Sequence, residues 1–192
     1  MSRPNDRAPC TLVIDVEATC SRCRVVVPIE EMEIIELGAV LLDAGHDMVG
    51  EFETFVRPVR HPVLTPFCTE LTGISQDDVD RAPGFPQALA TFLQFTGDCA
   101  RLTFCSWGSF DQKILARDCG WHGLPVPPFA AVRNLKHEFA AARRTHRGIS
   151  IAQALRGLGE EFAGRPHRGL DDARNGARVL RTLALSNDRT GS

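Results

Sequence analysis

The chain has 192 residues, of which 43% are hydrophobic and 24% are charged, and its formal net charge is −2. This composition is typical of one soluble globular domain, and no apolar run approaches the roughly 18 residues that a membrane-spanning helix needs. The polar N-terminus, "MSRPNDRAP", lacks the apolar core of a signal peptide, so we expect a cytoplasmic protein without a membrane partner.

The seven cysteines are an odd number, and they are scattered singly except for Cys20 and Cys23. This usage predicts reduced thiols and not a disulfide framework. "CSRC" matches half of a zinc or redox motif, but no second CxxC completes a zinc site and no helix start is predicted beside it. A metal or redox role for this pair is therefore the weaker interpretation.

Three strands are predicted in the first third of the chain. The first lies in "TLVIDVEATC", residues 11–20, an apolar run that ends in acids. The second and third, "EIIELGAVLLD" and "MVGEFETFVRP", are joined across "AGHD" and predict an antiparallel hairpin. The sheet therefore begins with strands that follow one another directly.

Helices dominate the rest of the chain. "HPVLTPFCTELTGIS" is rich in turn residues with room for one short helix, Ser75 is expected to cap the next, and Pro86 to open a longer one. A fourth strand, "RLTFCSW", precedes a helix in "SFDQKILARDCG" that Gly120 is expected to end. Two more helices are predicted near residues 149–158 and 171–185.

This order of elements predicts an α/β fold, with one mixed sheet packed by helices. No internal repeat, low-complexity tract or linker divides the chain. We expect a single domain over residues 10–186, between an N-terminal tail of residues 1–9 and a C-terminal tail of residues 187–192.

The first strand carries two acids where an apolar residue is expected. Because side chains alternate along a strand, Asp15 and Glu17 point to the same face. Two neighbouring carboxylates repel each other, and a divalent cation relieves that repulsion because hard cations prefer oxygen ligands. The alternative is a surface acid pair where the strand meets solvent.

Three further acids begin helices. Asp111 follows the fourth strand, and Asp171 and Asp172 open the last helix, with His167 in the loop before it. Each acid alone is explained as a residue that opposes the helix macrodipole. Together with the first pair, however, Asp111, Asp172 and His167 supply the four carboxylates and one base needed for phosphodiester hydrolysis at two cations.

The order of these residues resembles the DEDDh 3′–5′ exonucleases, the DnaQ-like group with a ribonuclease-H-like fold. The resemblance runs from about residue 10 to residue 183 and is closest to the subgroup of the histone-mRNA 3′ exonuclease and its KapD-like bacterial relatives. It implies that the first three strands are antiparallel and the later strands parallel. The phrases that carry it are "DVEATC", "EIIELGAV", "FVRPV", "FCTELTGI", "WGSFD" and "HRGLDDARN".

The resemblance also implies a role for each matching residue. Asp15, Glu17 and Asp172 would hold one cation, Asp15 and Asp111 would hold the second, and His167 would act as the general base. The two cations would be Mg²⁺ or Mn²⁺. Asp171 matches no ligand and is expected to cap the helix.

Substrate contacts are expected in four places. The resemblance suggests a nucleotide pocket at Ala18, Thr19 and Cys20, with the segment from Leu71 through Thr72 to Ile74 beside the terminal base. Ordinary core packing remains the alternative for Leu71, Ile74 and Phe110, the last being a further candidate beside Asp111. A basic surface could contact phosphates or simply be solvated; its members are Arg143, Arg144, Arg147 and Arg168. Glu36 either supports the metal site or caps a sheet edge.

The predicted function is a 3′–5′ exoribonuclease that releases nucleoside 5′-monophosphates from single-stranded 3′ ends. RNA is preferred by analogy with the nearer relatives, and a DNA exonuclease of the proofreading or repair type is the first alternative. A non-catalytic nucleic-acid-binding module of the same fold is the second. The residues leave the physiological substrate and the choice between monomer and homodimer open.

Overall fold

The computed structural model describes the backbone of residues 10–190 except Arg24 and Arg147, with side chains through residue 185. The expected contact of Arg147, the tail at residues 1–9 and the last two residues of the chain lie outside the described residues. Within the described part of the chain, no helix is both long enough and apolar enough to cross a membrane.

Five strands form one mixed sheet in the order β3-β2-β1-β4-β5. β1 pairs antiparallel with β2 and β2 pairs antiparallel with β3, whereas β4 joins β1 in parallel and β5 joins β4 in parallel. The predicted α/β class with its mixed sheet is therefore confirmed. The strands span Thr11–Ala18, Ile34–Leu42, Met48–Phe55, Thr103–Ser106 and Ala131–Asn134.

Helices cover both faces of this sheet. One face packs on α3 and α4 through the β1 side chains Leu12, Ile14 and Val16, and the other face packs on α7 through Val13. The seven helices among the described residues are α1 Pro66–Thr72, α2 Gln76–Asp80, α3 Phe85–Thr96, α4 Phe110–Trp121, α5 Leu135–Ala142, α6 Ile151–Gly157 and α7 Gly169–Thr190. Because Asp15 and Glu17 alternate with Val16, they lie on the α7 face.

Both short helices expected in this part of the sequence are present, and the second begins at the expected cap. Ser75 caps α2 with a full capping box, in which its hydroxyl accepts from the Asp78 N–H and the Asp78 carboxylate accepts from the Ser75 N–H. Thr65 caps α1, which places Leu71 and Thr72 in its last turn.

Two elements were not predicted. β5 is a four-residue edge strand with the mixed sequence "AVRN", and its pairing with β4 defines it more than its own residues do. α5 follows at once, and its Asn134 cap accepts a hydrogen bond from the His137 N–H. That cap, followed by "LKHEF", is a pattern from which the helix could have been predicted.

One predicted helix end is wrong. α4 continues through Gly120 to Trp121 and is followed by Gly123, which has the positive φ of 64° expected of a residue that ends a helix. The Leu124 N–H then returns to the Cys119 carbonyl at 2.8 Å. The glycine three residues later therefore has the role that was expected of Gly120.

Candidate active site

Three carboxylates meet at the carboxyl end of β1. Asp15, Glu17 and Asp172 each place one oxygen within 4.8 Å of the others. β1 contributes the first two, and α7, which begins beside β1, contributes Asp172 in its first turn. These are three of the four acids expected at the metal site.

The fourth acid, Asp111, adjoins this group through β1. Its Oδ1 accepts a hydrogen bond from the Val16 N–H at 3.1 Å, so the start of α4 is fixed between the two acids of β1. Asp111 is 5% exposed. Burial raises its pKa to about 6 despite the hydrogen bonds that it accepts.

Burial and mutual repulsion both act on the acids of this cluster. Burial, followed by the charges of Asp172, Glu36 and Asp111, raises the pKa of Glu17 to about 9. The same causes raise the pKa of Asp15 well above its usual value, with Asp111 as the strongest neighbour. Four oxygen-bearing groups that destabilise one another in this way are a donor set suited to hard divalent cations.

His167 lies on the exposed side of this cluster. It has a positive φ of 62°, and its backbone N–H donates to Asp172 Oδ2 at 2.7 Å. This bond closes a turn directly before α7, so the expected base and the expected ligand belong to one local unit. Because non-glycine residues rarely adopt this backbone conformation, the turn is one that the surrounding structure must hold in place.

Asp171 does not cap α7 as expected. Its carboxylate accepts from the Arg165 N–H at 2.9 Å and from the Arg174 guanidinium at 3.2 Å. It therefore fastens the preceding loop to the helix, and its side chain has no donor from the first turn of α7 among these bonds.

A pocket of about 260 Å³ opens beside the acids. Four of the expected contact residues line it, namely Ala18, Cys20, Leu71 and Phe110, together with Val16 and Glu17. Sequence reasoning missed two further lining residues, Ile29 and Met32. Two apolar residues inside the charged segment "VPIEEM" were the available indication of them.

The side chains of three other expected contacts are buried. Ile74 is fully buried among Ile35, Cys68 and Val79, which is the core-packing alternative. The Thr72 hydroxyl donates to the Cys68 carbonyl at 2.9 Å, and the Thr19 hydroxyl accepts from the Glu33 N–H at 2.9 Å. None of these three side chains is among those that line the pocket.

Arg168, an expected phosphate contact, is paired with two carboxylates. Its guanidinium binds the fully buried carboxylate of Glu36 at 3.0 Å and that of Glu53 at 3.0 Å. Arg143 and Arg144, in contrast, are exposed after α5. Of the four arginines named from the sequence, these two remain as described candidates for an open basic surface.

Cys20 and Cys23 differ in their surroundings. Among the described residues, the group of side chains able to hold a metal ion is the carboxylate cluster, without a cysteine. Cys23 is exposed, whereas Cys20 packs against the cluster that contains Cys68. A hydrogen bond with the Cys68 thiol and burial raise the pKa of Cys20, which keeps its thiol protonated.

Comparison with known proteins defines the class first. A family model described as Exonuclease, RNase_T, matches residues 12–180, and the chain belongs to that family. The nuclease domain of 3′hExo, a DEDDh family member solved with bound rAMP, is 33% identical with a TM-score of 0.84. That match covers 97% of this chain and 95% of the domain, and it confirms the DEDDh resemblance.

One curated relative and one further solved structure have names that refer to RNA. Human ERI1 exoribonuclease 3 is 37% identical over 194 residues, covering 96% of this chain but 56% of the relative. A structure concerned with recognition of the histone mRNA stem-loop by a 3′-exonuclease is 32% identical with a TM-score of 0.84, covering 92% of this chain and 81% of that chain. This chain spans about half the length of the first curated relatives that it matches.

Proposed function

We propose that this protein is a 3′–5′ exoribonuclease that depends on divalent cations and releases nucleoside 5′-monophosphates from single-stranded 3′ ends. The observation that carries the proposal is the group formed by Asp15, Glu17 and Asp172, beside a pocket with apolar walls. The names of the relatives, which are exoribonucleases, support RNA as the substrate. We also propose that residues 10–186 form one exonuclease domain.

The acids fit a pair of cations such as Mg²⁺ or Mn²⁺. Asp15, Glu17 and Asp172 would hold one, and Asp15 with Asp111 would hold the other. Their raised pKa values mean that the cluster is poorly stabilised as a set of anions by the protein alone. When bound, the two cations would supply an activated water and stabilise the leaving oxygen of the phosphodiester.

The protein's own groups would hold the substrate and move one proton. Leu71 and Phe110 are partly exposed at the pocket, where they would stack on the terminal base without reading its identity. His167, exposed above the acids, would accept the proton of the attacking water because an imidazole can do so near neutral pH.

Digestion of matched RNA and DNA oligonucleotides, labelled at either end, tests this function. Assays with Mg²⁺, Mn²⁺ or EDTA should show release of 5′-monophosphates from the 3′ end only when a cation is present. A higher kcat/KM on DNA than on RNA would replace the proposed substrate with the DNA alternative. No release from either polymer by the wild-type protein would leave a nucleic-acid-binding module as the better explanation.

A further inference from the structure

Glu36, an acid of β2, lies beside the acids of β1 but has different hydrogen-bond partners. In the β1–β2 pairing Glu17 lies opposite Glu36, and Asp15 lies opposite Gly38. Residues directly opposite in an antiparallel pair share a face of the sheet. The face that carries the two β1 acids therefore also carries Glu36, which is fully buried. It also carries Gly38, which has no side chain.

Glu36 is bound by the segment that follows His167. The Arg168 Nε lies 3.2 Å from both carboxylate oxygens, and its Nη2 lies 3.0 Å from Oε1. The Gly169 N–H donates to Oε2 at 3.0 Å. Both oxygens of Glu36 therefore accept hydrogen bonds from two consecutive residues of the turn, although its charge also acts on Glu17.

The guanidinium of Arg168 is itself held on two other sides. Its Nη2 also binds Glu53 Oε1 at 3.0 Å, and its central carbon lies 5.2 Å from the centre of the Phe55 ring. Both partners belong to β3, so the turn is attached to two adjacent strands. These contacts fix the orientation of the Arg168 side chain and the position of its positive charge.

Two glycines allow the turn to approach so closely. A Cβ atom on Gly38 would lie 2.0 Å from the Gly169 carbonyl carbon, far inside any real contact. A Cβ atom on Gly169 would lie 3.0 Å from the Asp15 carbonyl oxygen. The first turn of α7 is thus in backbone contact with both strands at the level of Asp15.

His167 directly precedes this anchored segment, and its own described backbone bond is the one to Asp172. We infer that Glu36 and Arg168 are a positioning pair that fixes the His167 turn, and with it the imidazole and Asp172, over the acids of β1. The consequence for catalysis depends on the proposed function, whereas the consequence for the turn does not. In this assignment Glu36 is neither a cation ligand nor a sheet-edge cap.

The double variant Glu36→Gln/Arg168→Met tests the pair without leaving a buried charge unpaired. The amide oxygen of the new side chain can still accept from the Gly169 N–H, and methionine can still cover Phe55. We expect kcat to fall about 10- to 100-fold with KM little changed, the range typical of lost outer partners of a catalytic group. The matched control is Asp47→Asn/Arg181→Met, which removes a salt bridge between α7 and the β2–β3 hairpin, away from the His167 turn, and should leave kcat unchanged.

Amide hydrogen exchange provides a measurement independent of activity. If the pair fixes the turn, the His167 N–H should exchange faster in the Glu36/Arg168 double variant and at the wild-type rate in the control. A purely stabilising role would lower Tm but preserve both kcat and the protection of this amide. Wild-type kcat together with unchanged exchange at His167 would overturn the inference.

The same measurements separate the inference from the proposed function. If wild-type protein degrades no oligonucleotide but the His167 amide is deprotected in the double variant, the exonuclease proposal fails and the positioning pair stands. If wild-type protein is an active exonuclease and the double variant matches it in kcat and in exchange, the pair fails and the exonuclease stands.

Discussion

Glu17 and Glu33 are buried acids at the same end of the sheet, with 8% and 4% of their surfaces exposed, but their surroundings differ. The Glu33 carboxylate accepts from the backbone N–H groups of Val59, Arg60 and His61 at 2.7 to 3.0 Å. Glu17 instead faces other acids, which together with burial raise its pKa to about 9. A buried carboxylate surrounded by donors holds a loop in place, whereas one surrounded by carboxylates is suited to bind a cation.

This contrast predicts that mutations in the acid cluster reduce turnover, whereas mutation of Glu33 reduces stability. The largest effect is expected in the acid cluster. Asp15→Asn should abolish turnover while the fold is retained, because the amide is a poorer cation ligand but relieves the repulsion. Nucleotide release and the thermal unfolding of metal-free protein measure the two effects. Asp15→Asn protein that retains turnover would contradict the role of the cluster.

The second effect concerns the base. His167→Ala should lower kcat roughly 10²- to 10⁴-fold, the usual contribution of a general base, and leave Tm within experimental error because the side chain is exposed. Steady-state kinetics on an RNA oligonucleotide measure it. Equal kcat in mutant and wild type would exclude His167 as the base.

Glu33 should show the reverse pattern. Glu33→Ala leaves three backbone N–H groups without their acceptor, and we expect the free energy of unfolding to fall by about 2–4 kcal/mol. Chemical denaturation measures the change. The Glu33→Ala protein, assayed well below its Tm, should retain the wild-type kcat. A loss of kcat without a loss of stability would mean that Glu33 does not differ from Glu17 in the way proposed.

The pH dependence of stability sharpens the same comparison. The unfolded Glu17 carboxyl releases its proton near pH 4.5, and the folded one near pH 9, so the folded state binds more protons between these values. The free energy of unfolding of metal-free protein should therefore fall as pH rises from 4.5 to 9. Tm measured across this range should fall by several degrees, and Glu17→Gln should flatten the curve.

Divalent cations should reverse this trend. Because cation binding competes with protonation, Mn²⁺ should raise Tm more at pH 8 than at pH 5. The Glu33→Ala variant should show the same response, since Glu33 is outside the cluster. An equal Mn²⁺ effect at both pH values would argue against binding at the carboxylates.

The smallest effect is expected at Asp118, a buried acid with one satisfied oxygen. Its Oδ2 accepts from the Ile34 N–H at 2.9 Å, Oδ1 has no partner among the described residues, and burial raises its pKa to about 7. Asp118→Asn should raise the free energy of unfolding by about 1 kcal/mol at pH 8 and by less at pH 5, because the buried charge is removed. Equal destabilisation at both pH values would contradict this.

Much of the fold was predictable because local patterns agree with the tertiary arrangement. The alternating faces of β1, the hairpin across "AGHD" and the cap at Ser75 are local features, and each is found in the structure. β5 was not predictable because "AVRN" has no strand pattern of its own and depends on β4. The order of the five expected catalytic residues could be read from the sequence. Their proximity in space could not, because long-range packing brings β1, α4 and α7 together.

The sequence by itself determined the class of protein, because the residue types, their order and the strand and helix signals are properties of the chain. Only the tertiary structure decided which polar residues face the pocket and which are bonded inside. Thr19 and Arg168 have side chains suited to substrate contact, but neighbours distant in sequence occupy their hydrogen-bonding groups. Partners of this kind depend on the register between β1 and β2 and on the close approach of α7.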